Sequence, residues 1–288
     1  WAAMDFPFGG GKTVLAIPRP LEGEERVGLL HRFGALLNSL KGCYGTGADL
    51  GTTTEDMQTI AEVSEYVIGV HGRTEGPMDP SPFTALGVFE GVKAALRHRT
   101  GSGEMEGRRI LVQGVGAVGG SLARRIVGAG GQLLLSDLDG PRVKALAGEL
   151  GARVVPPTEV CQTECDVYAP CATGATLTPE SIRELRCQIV AGAANNQLQS
   201  PREAELLFER DILYAPDYVI NGGGAMAFTL IYQGEERIAE LERRVMSIGE
   251  NLSLIFSEAE EKGQSPVVAA HSHVRRILER GPKAGRMS

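Results

Sequence analysis

Arg109-Ile110-Leu111-Val112-Gln113-Gly114-Val115-Gly116-Ala117-Val118-Gly119 is the stretch that decides the fold. An aliphatic run enters a Gly-x-Gly-x-x-Gly turn, and Ser121 to Val127 reads as the helix that follows. A second aliphatic run, Gln132-Leu133-Leu134-Leu135-Ser136, then leads to Asp137. Strand, glycine turn, helix, strand and acid, with the acid offset by about 20 residues, is the layout of a dinucleotide-binding βαβ unit. The glycines permit a tight turn and close approach of backbone to a pyrophosphate, and the helix start offers unpaired N–H groups. Gly114, Gly116, Ala117, Val118 and Gly119 are therefore cofactor candidates, with Asp137 for the adenosine ribose. A glycine-rich turn without a ligand is the plainer alternative. A carboxylate at 137 accepts from a 2′-hydroxyl and repels a 2′-phosphate, and Leu138-Asp139-Gly140-Pro141 precedes the first arginine, Arg142. NAD is expected over NADP.

The pattern repeats downstream. Strands are expected at 109–113, 132–136, 152–155, 166–169, 188–192 and 218–220, with helices or turns between them. This predicts an α/β chain with a Rossmann-type, doubly wound nucleotide domain. Ligands of such sheets sit beyond the strand ends, so Cys171 and Ala172 join the cofactor candidates. Upstream, 13–16 reads as a short strand, Glu24 to Leu40 as a helix, and Thr53 to about Val67 as a second helix capped by Thr53 or Thr54. Gly69 to Pro82 reads as loop and Pro82 to Arg99 as a helix. A long helical run from Gly234 to Gly263 and a last helix from Pro266 to Arg280 close the chain. The expected division is 1–80, an incomplete α/β substrate and oligomerisation domain; 81–222, the nucleotide domain; and 223–288, helices packing back across the cleft.

With 288 residues, 42% hydrophobic and 23% charged, the chain suits two globular domains. A net charge of −7 without a basic stripe argues against nucleic acid as a partner. No run of 18 apolar residues points to a membrane span. The five cysteines contain no Cys-x-x-Cys pair, which suggests reduced thiols, a cytoplasmic location and no metal site. The chain opens at Trp1 without an initiator Met, and reads as cut or incompletely represented.

Four clusters carry candidate chemistry. Gly9-Gly10-Gly11-Lys12 either is a surface turn or holds a lysine in a cleft, where desolvation would lower its pKa and make it a base. Asp49, among the small residues of Gly45 to Gly51, either caps a helix start or serves as that lysine's proton-transfer partner. Asn195 and Asn196 follow a strand and suit a nicotinamide amide or a substrate amino group, or form an ordinary loop. Asn221, before Gly222-Gly223-Gly224, reads as a site residue or a sharp turn.

These motifs, together with Ser81 to Val88 and Ala169 to Ala175, resemble the Glu/Leu/Phe/Val amino-acid dehydrogenases, and within them the leucine, valine and phenylalanine branch. The resemblance covers nearly the whole chain. It implies NAD-dependent oxidative deamination of an L-amino acid to a 2-oxo acid and ammonia, in a cleft whose closure excludes water. It makes Lys12 the catalytic lysine and Asp49 its partner, and puts Thr84, Asn195 and Asn196 near nicotinamide and substrate. It also implies a second lysine that holds the substrate carboxylate. Counted back from Lys12, that position falls one residue before Trp1, so the family's usual N-terminal segment is expected to be lacking.

Gly47 leaves room in the side-chain pocket, as glycine does in the aromatic branch where leucine enzymes tend to carry alanine, and Ala225 and Phe228 are expected to line the same pocket. An apolar or aromatic substrate follows, with a homo-oligomer, dimer or octamer, implied by the resemblance. The rivals are an NAD-binding remnant or half of a split protein, and an NAD-dependent 2-hydroxy-acid dehydrogenase. The last needs a histidine base, yet no His falls between 99 and 270; His71 and His98 precede that stretch, and His271 and His273 follow it.

Overall fold

The computed structural model describes all residues except 5, 7, 8, 50, 69, 71–78, 236 and 281–288. The loop expected from Gly69 to Pro82 lies mostly outside the described residues, as does His71. The helices in chain order are α1 (Gly23–Ser39), α2 (Thr54–Ala61), α3 (Ser81–Thr100), α4 (Ala117–Gly128), α5 (Gly140–Leu150), α6 (Pro179–Glu184), α7 (Arg202–Glu209), α8 (Asp217–Ile220), α9 (Gly223–Tyr232), α10 (Ile238–Lys262) and α11 (Pro266–Arg280). The strands are β1 (Arg109–Gln113), β2 (Gln132–Ser136), β3 (Arg153–Val154), β4 (Val167–Pro170), β5 (Ile189–Val190) and β6 (Leu213–Tyr214). The chain forms two compact units, each assembled from separate segments: 1–7 with 80–225 and 242–288, and 8–79 with 226–241. Among the described residues no helix is long and apolar enough to cross a membrane.

The first unit holds a parallel sheet in the order β3-β2-β1-β4-β5-β6. Register explains its two faces. Leu134, Leu111, Tyr168, Val190 and Tyr214 are successive partners across five strands, and all five share one buried cluster with Ile182 of α6 and Leu207 of α7. Residues one step along each strand point the other way, since side chains alternate along a strand. Ile110 lies on that opposite face, near Ile126 of α4. Burial on both faces is why β1 and β2 read as continuous aliphatic runs rather than alternating ones.

Three expectations change. Residues 13–16 form no strand: Val14 is 84% exposed, and among the described residues no strand pairs with this stretch. A strand needs a neighbour for its N–H and C=O groups. The helix expected to reach Val67 stops at Ala61. Beyond it the β-branched and aromatic run Tyr66-Val67-Ile68 turns extended, because Thr46 N–H donates to Tyr66 O at 3.0 Å and Ile68 N–H to Thr46 O at 2.6 Å. The strand expected at 218–220 is the one-turn α8, and the sixth strand is Leu213–Tyr214. Pro216 precedes α8, and the Asp217 carboxylate accepts from Tyr218 N–H at 2.8 Å at the helix start.

α10 and α11 are tied by Glu258, which receives Arg276 through both terminal nitrogens and Lys262 at 2.6 Å. The Arg276 guanidinium, then Lys262, pull the Glu258 carboxyl down to about 2. A lowered pKa in the folded state contributes stability above the ordinary glutamate value, and that contribution is lost as pH falls from 4.5 towards about 2. Glu258→Gln is expected to lower stability at neutral pH by about 1.5–3 kcal/mol, the range for bonds to charged groups. Urea denaturation of variant and parent at neutral and acid pH checks this; the gap between them should shrink in acid.

Candidate active site

The sheet order reverses direction between β1 and β4, and the glycine turn sits where the two strand ends diverge. Gly114 takes a left-handed φ of +93°, and a β-carbon there would lie 2.7 Å from Ala172 N and Cβ. Cys171 N–H donates to Gln113 O at 2.7 Å, which fastens the end of β4 to the end of β1. A β-carbon on Gly119 would fall on the Gly114 carbonyl oxygen. The structure thus brings Gly114, Gly119, Cys171 and Ala172 together. Burial pushes the Cys171 thiol up to about 12, so it is a packed thiol rather than a nucleophile at neutral pH.

Gly116 is the N-cap of α4 and makes no side-chain cap; a β-carbon on it would meet nothing within 4 Å. The opening N–H groups of α4, at Ala117 and Val118, therefore border open space beside a bare glycine. That combination is a cradle for an anion. Asp137 stands at the far side of the turn. Its Oδ2 accepts from Val115 N–H at 2.6 Å and its Oδ1 from Asp139 N–H at 2.9 Å. Burial alone would raise its pKa, but the amides of Asp139, Val115 and Leu138, with Arg142 nearby, outweigh that and hold the carboxyl below the usual range. Each oxygen keeps a lone pair for a ribose hydroxyl. These residues fit a dinucleotide.

Around the ends of β4 and β5, Asn221 Nδ2 donates to Asn195 Oδ1 at 2.6 Å and to Ala193 O at 3.1 Å. Asn196 sits in the left-handed region at φ +50°. The loop is stapled beneath by fully buried Gln197, whose Nε2 donates to Gly192 O and Ala194 O, both at 2.9 Å. Thr84 lies in the first turn of α3 and its Oγ1 donates to Pro80 O at 3.3 Å. A β-carbon on Gly224 would be 2.5 Å from that Oγ1, and one on Gly222 would be 2.5 Å from Met4 S. The triple glycine is therefore a packing device that opens α9. Exposed Ala225 and half-buried Phe228 stand three residues apart on the same helix.

In the second unit, Lys12 Nζ donates directly to Asp49 Oδ2, an ion pair joining residues 37 apart. The expected desolvation of the lysine is not present: its side chain is 75% exposed. The ring of Tyr44 packs against Gly11, where a β-carbon would come within 3.0 Å of it. Gly47 is different, since a β-carbon there meets only Ile68 at 3.8 Å, an ordinary contact.

Two polar groups escaped the sequence reading. Tyr168 Oη donates to Gln113 Oε1, which anchors the last residue of β1 just before the glycine turn. The signal was a polar residue ending an aliphatic strand. Arg26 forks onto Asp56 and reaches Gly51 O, behind the Asp49 turn; a capping box read in full at Thr53-x-x-Asp56 would have pointed to the acid but not to its partner.

The parallel sheet with a glycine turn at its switch point is a Rossmann-type fold, and the proteins this chain is similar to are amino-acid dehydrogenases. The model of the Glutamate/Leucine/Phenylalanine/Valine dehydrogenase family matches residues 140–271. The chain is 38% identical over 282 residues to leucine dehydrogenase of Bacillus subtilis (strain 168), covering 97% of this chain and 76% of that protein. It is 33% identical over 291 residues to phenylalanine dehydrogenase of Thermoactinomyces intermedius, covering 97% and 79%. The crystal structure of L-tryptophan dehydrogenase from Nostoc punctiforme superposes with a TM-score of 0.85 at 34% identity, covering 97% of this chain and 79% of that one. The chain belongs to the Glu/Leu/Phe/Val dehydrogenase family, whose members are NAD(P)-dependent dehydrogenases.

Asp137→Ala would leave the Val115 and Asp139 amides without their acceptor and remove the carboxylate expected to face the adenosine ribose. Calorimetric titration is expected to show NAD affinity weakened by about 10- to 100-fold, the cost of one to two charged hydrogen bonds. Unchanged affinity would remove Asp137 from the site.

Proposed function

We propose that this chain catalyses NAD-linked oxidative deamination of an apolar or aromatic L-amino acid to its 2-oxo acid and ammonia, and the reverse reductive amination. The observation that carries the reading is the direct Lys12–Asp49 contact, across 37 residues, in a chain of this family. NAD is favoured over NADP because the Asp137 carboxylate, its Oδ2 accepting from the glycine turn at Val115 and its Oδ1 from Asp139 N–H, would repel a 2′-phosphate, while Arg142, which would meet one, is paired with Asp139 at 3.2 Å. A homo-oligomer, dimer or octamer, belongs to the same reading, supported by exposed Val14, Leu36 and Leu40 in the second unit. So does a cytoplasmic location, supported by five free cysteines.

Gly114, Gly116 and Gly119, with the α4 amides of Ala117 and Val118, would hold the pyrophosphate, and Asp137 the adenosine ribose. Cys171 and Ala172 would floor the crevice; Thr84, Asn195, Asn196 and Asn221 would face the nicotinamide and the substrate amino group. Bound NAD supplies the acceptor for the substrate's α-hydrogen. The chain's own residues then manage protons. The role of Lys12 requires that substrate binding exclude water from its side chain, which is exposed here, so that as a free amine it takes a proton from the water that adds to the iminium carbon. As an ammonium it stabilises the oxygen that develops there. Asp49 takes the hydroxyl proton of the resulting carbinolamine and delivers it to the amine nitrogen, so that the C–N bond breaks, ammonia leaves and the oxygen closes to the carbonyl. Reductive amination runs the same transfers backwards.

Lys12→Ala is expected to cut turnover by at least about a thousandfold, the scale on which general acid–base and electrostatic terms combine, with NAD affinity unchanged. Turnover retained by this variant would sink the role of Lys12. NAD binding without turnover in the parent protein would instead favour a binding remnant.

Gly47 sets a second expectation. An added methyl fits sterically, so Gly47→Ala should fold normally. It should shift the ratio of kcat/KM for L-phenylalanine over L-leucine downward by about 10-fold, the scale of one pocket methylene. An unchanged ratio would place Gly47 outside the side-chain pocket.

A further inference from the structure

Asp49 is carried by a turn rather than by a helix or strand. Thr52 N–H donates to Asp49 O at 3.0 Å, Thr52 Oγ1 donates to the same oxygen at 2.8 Å, and Asp49 N–H lies 2.9 Å from Thr52 Oγ1. Gly51 takes φ +79°, a conformation that suits glycine. Such a turn on an exposed surface is mobile unless something outside it holds it. Arg26 of α1 does so. Its Nη2 donates to Gly51 O at 3.2 Å. The same guanidinium grips Asp56 with two bonds, Nε to Oδ1 at 2.7 Å and Nη2 to Oδ2 at 2.5 Å.

Asp56 is a firm anchor, being only 5% exposed. The Arg26 hydrogen bond holds its carboxyl below the usual range against the opposing effect of burial, and Thr53 helps. Asp56 also completes the capping box of α2, its Oδ2 accepting from Thr53 N–H at 2.8 Å. Thr53 directly follows the Asp49–Thr52 turn. The fork therefore fixes the turn twice, through the Gly51 carbonyl and through the cap next to it. A lysine at 26 would supply the charge but not the planar fork.

We propose that Arg26 is the positioning residue of the Lys12–Asp49 pair, its guanidinium anchored on Asp56 and clamping the Asp49 turn so that the carboxylate stays on the lysine. This rests on the reading of Lys12 and Asp49 as the proton-transfer pair. A tie that merely joins α1 to α2 would lower thermal stability and leave kinetics alone.

The test is steady-state deamination with NAD by Arg26→Lys, assayed well below the variant's unfolding temperature. We expect kcat to fall about tenfold with KM for NAD unchanged, since no cofactor candidate is touched. A lowered Tm with parental kcat would overturn the proposal. Should Arg26→Lys fail to fold, Arg26→Met combined with Asp56→Leu removes clamp and anchor without leaving a buried charge unpaired. The folded double variant should show the same kcat loss, and parental kcat would again overturn the proposal. Asp49→Asn separates the two levels. If it abolishes turnover while the Arg26 variants keep theirs, only the clamp is wrong; if it retains turnover, the proton-transfer reading falls and the clamp with it.

Discussion

Gly119 lies so close to Gly114 that no side chain can stand between them, and the nucleotide-binding architecture depends on that approach. It seats the start of α4 on the end of β1. It leaves the Cα of Gly116 facing open space, and it frees the first amides of α4 for an anion. Ala172 closes the other side, against a Gly114 backbone conformation that an L side chain resists. Asp137 then joins two segments: its carboxylate accepts from the glycine turn at Val115 and from Asp139 beyond β2, and is held below the usual carboxylate range. The sheet's buried row from Leu134 to Tyr214 keeps the strand ends level, so that these groups meet at one edge.

The second unit solves a different problem. It carries a lysine and an aspartate on exposed, glycine-rich segments that have little core beneath them. Its packed cluster is small, built on Leu30, Phe33, Leu37, Met57, Ile60 and Val67 from α1, α2 and the extended stretch beyond them. Polar anchors take over where apolar burial runs out. Arg26 and Asp56 bind the Asp49 turn to that cluster's helices, and Tyr44 covers Gly11 beside Lys12. The desolvation that a cleft lysine calls for is absent from this arrangement, in which the lysine is ion-paired with Asp49 and remains open to water.

The nucleotide unit was legible because its signals are local. β1 and β2 matched their aliphatic runs residue for residue, and the acid at 137 followed from the motif's spacing. The short strands β3, β5 and β6 were blurred, since two residues of pairing leave almost no periodicity. At 218–220 the aliphatic residues of a one-turn helix imitated a strand; only Pro216 and the acidic Asp217 spoke against it. At 13–16 the β-branched composition was real but pairing is a non-local fact, invisible to composition. The glycines at 222–224 were legible as a special place but not as the reason for it, because their neighbours, Met4, Phe83 and Thr84, are far away in sequence. Arg26 was missed on the same ground: its partners lie 25 and 30 residues on.

The central claim is that a dinucleotide site and a lysine–aspartate pair in this chain serve one reaction, amino-acid deamination. The most direct measurement is the simultaneous formation of NADH and ammonia by the purified protein from L-leucine, L-phenylalanine and L-tryptophan with NAD. The account predicts NADH and ammonia in equal amounts from at least one of the three. NAD binding with neither product from any of them would contradict it.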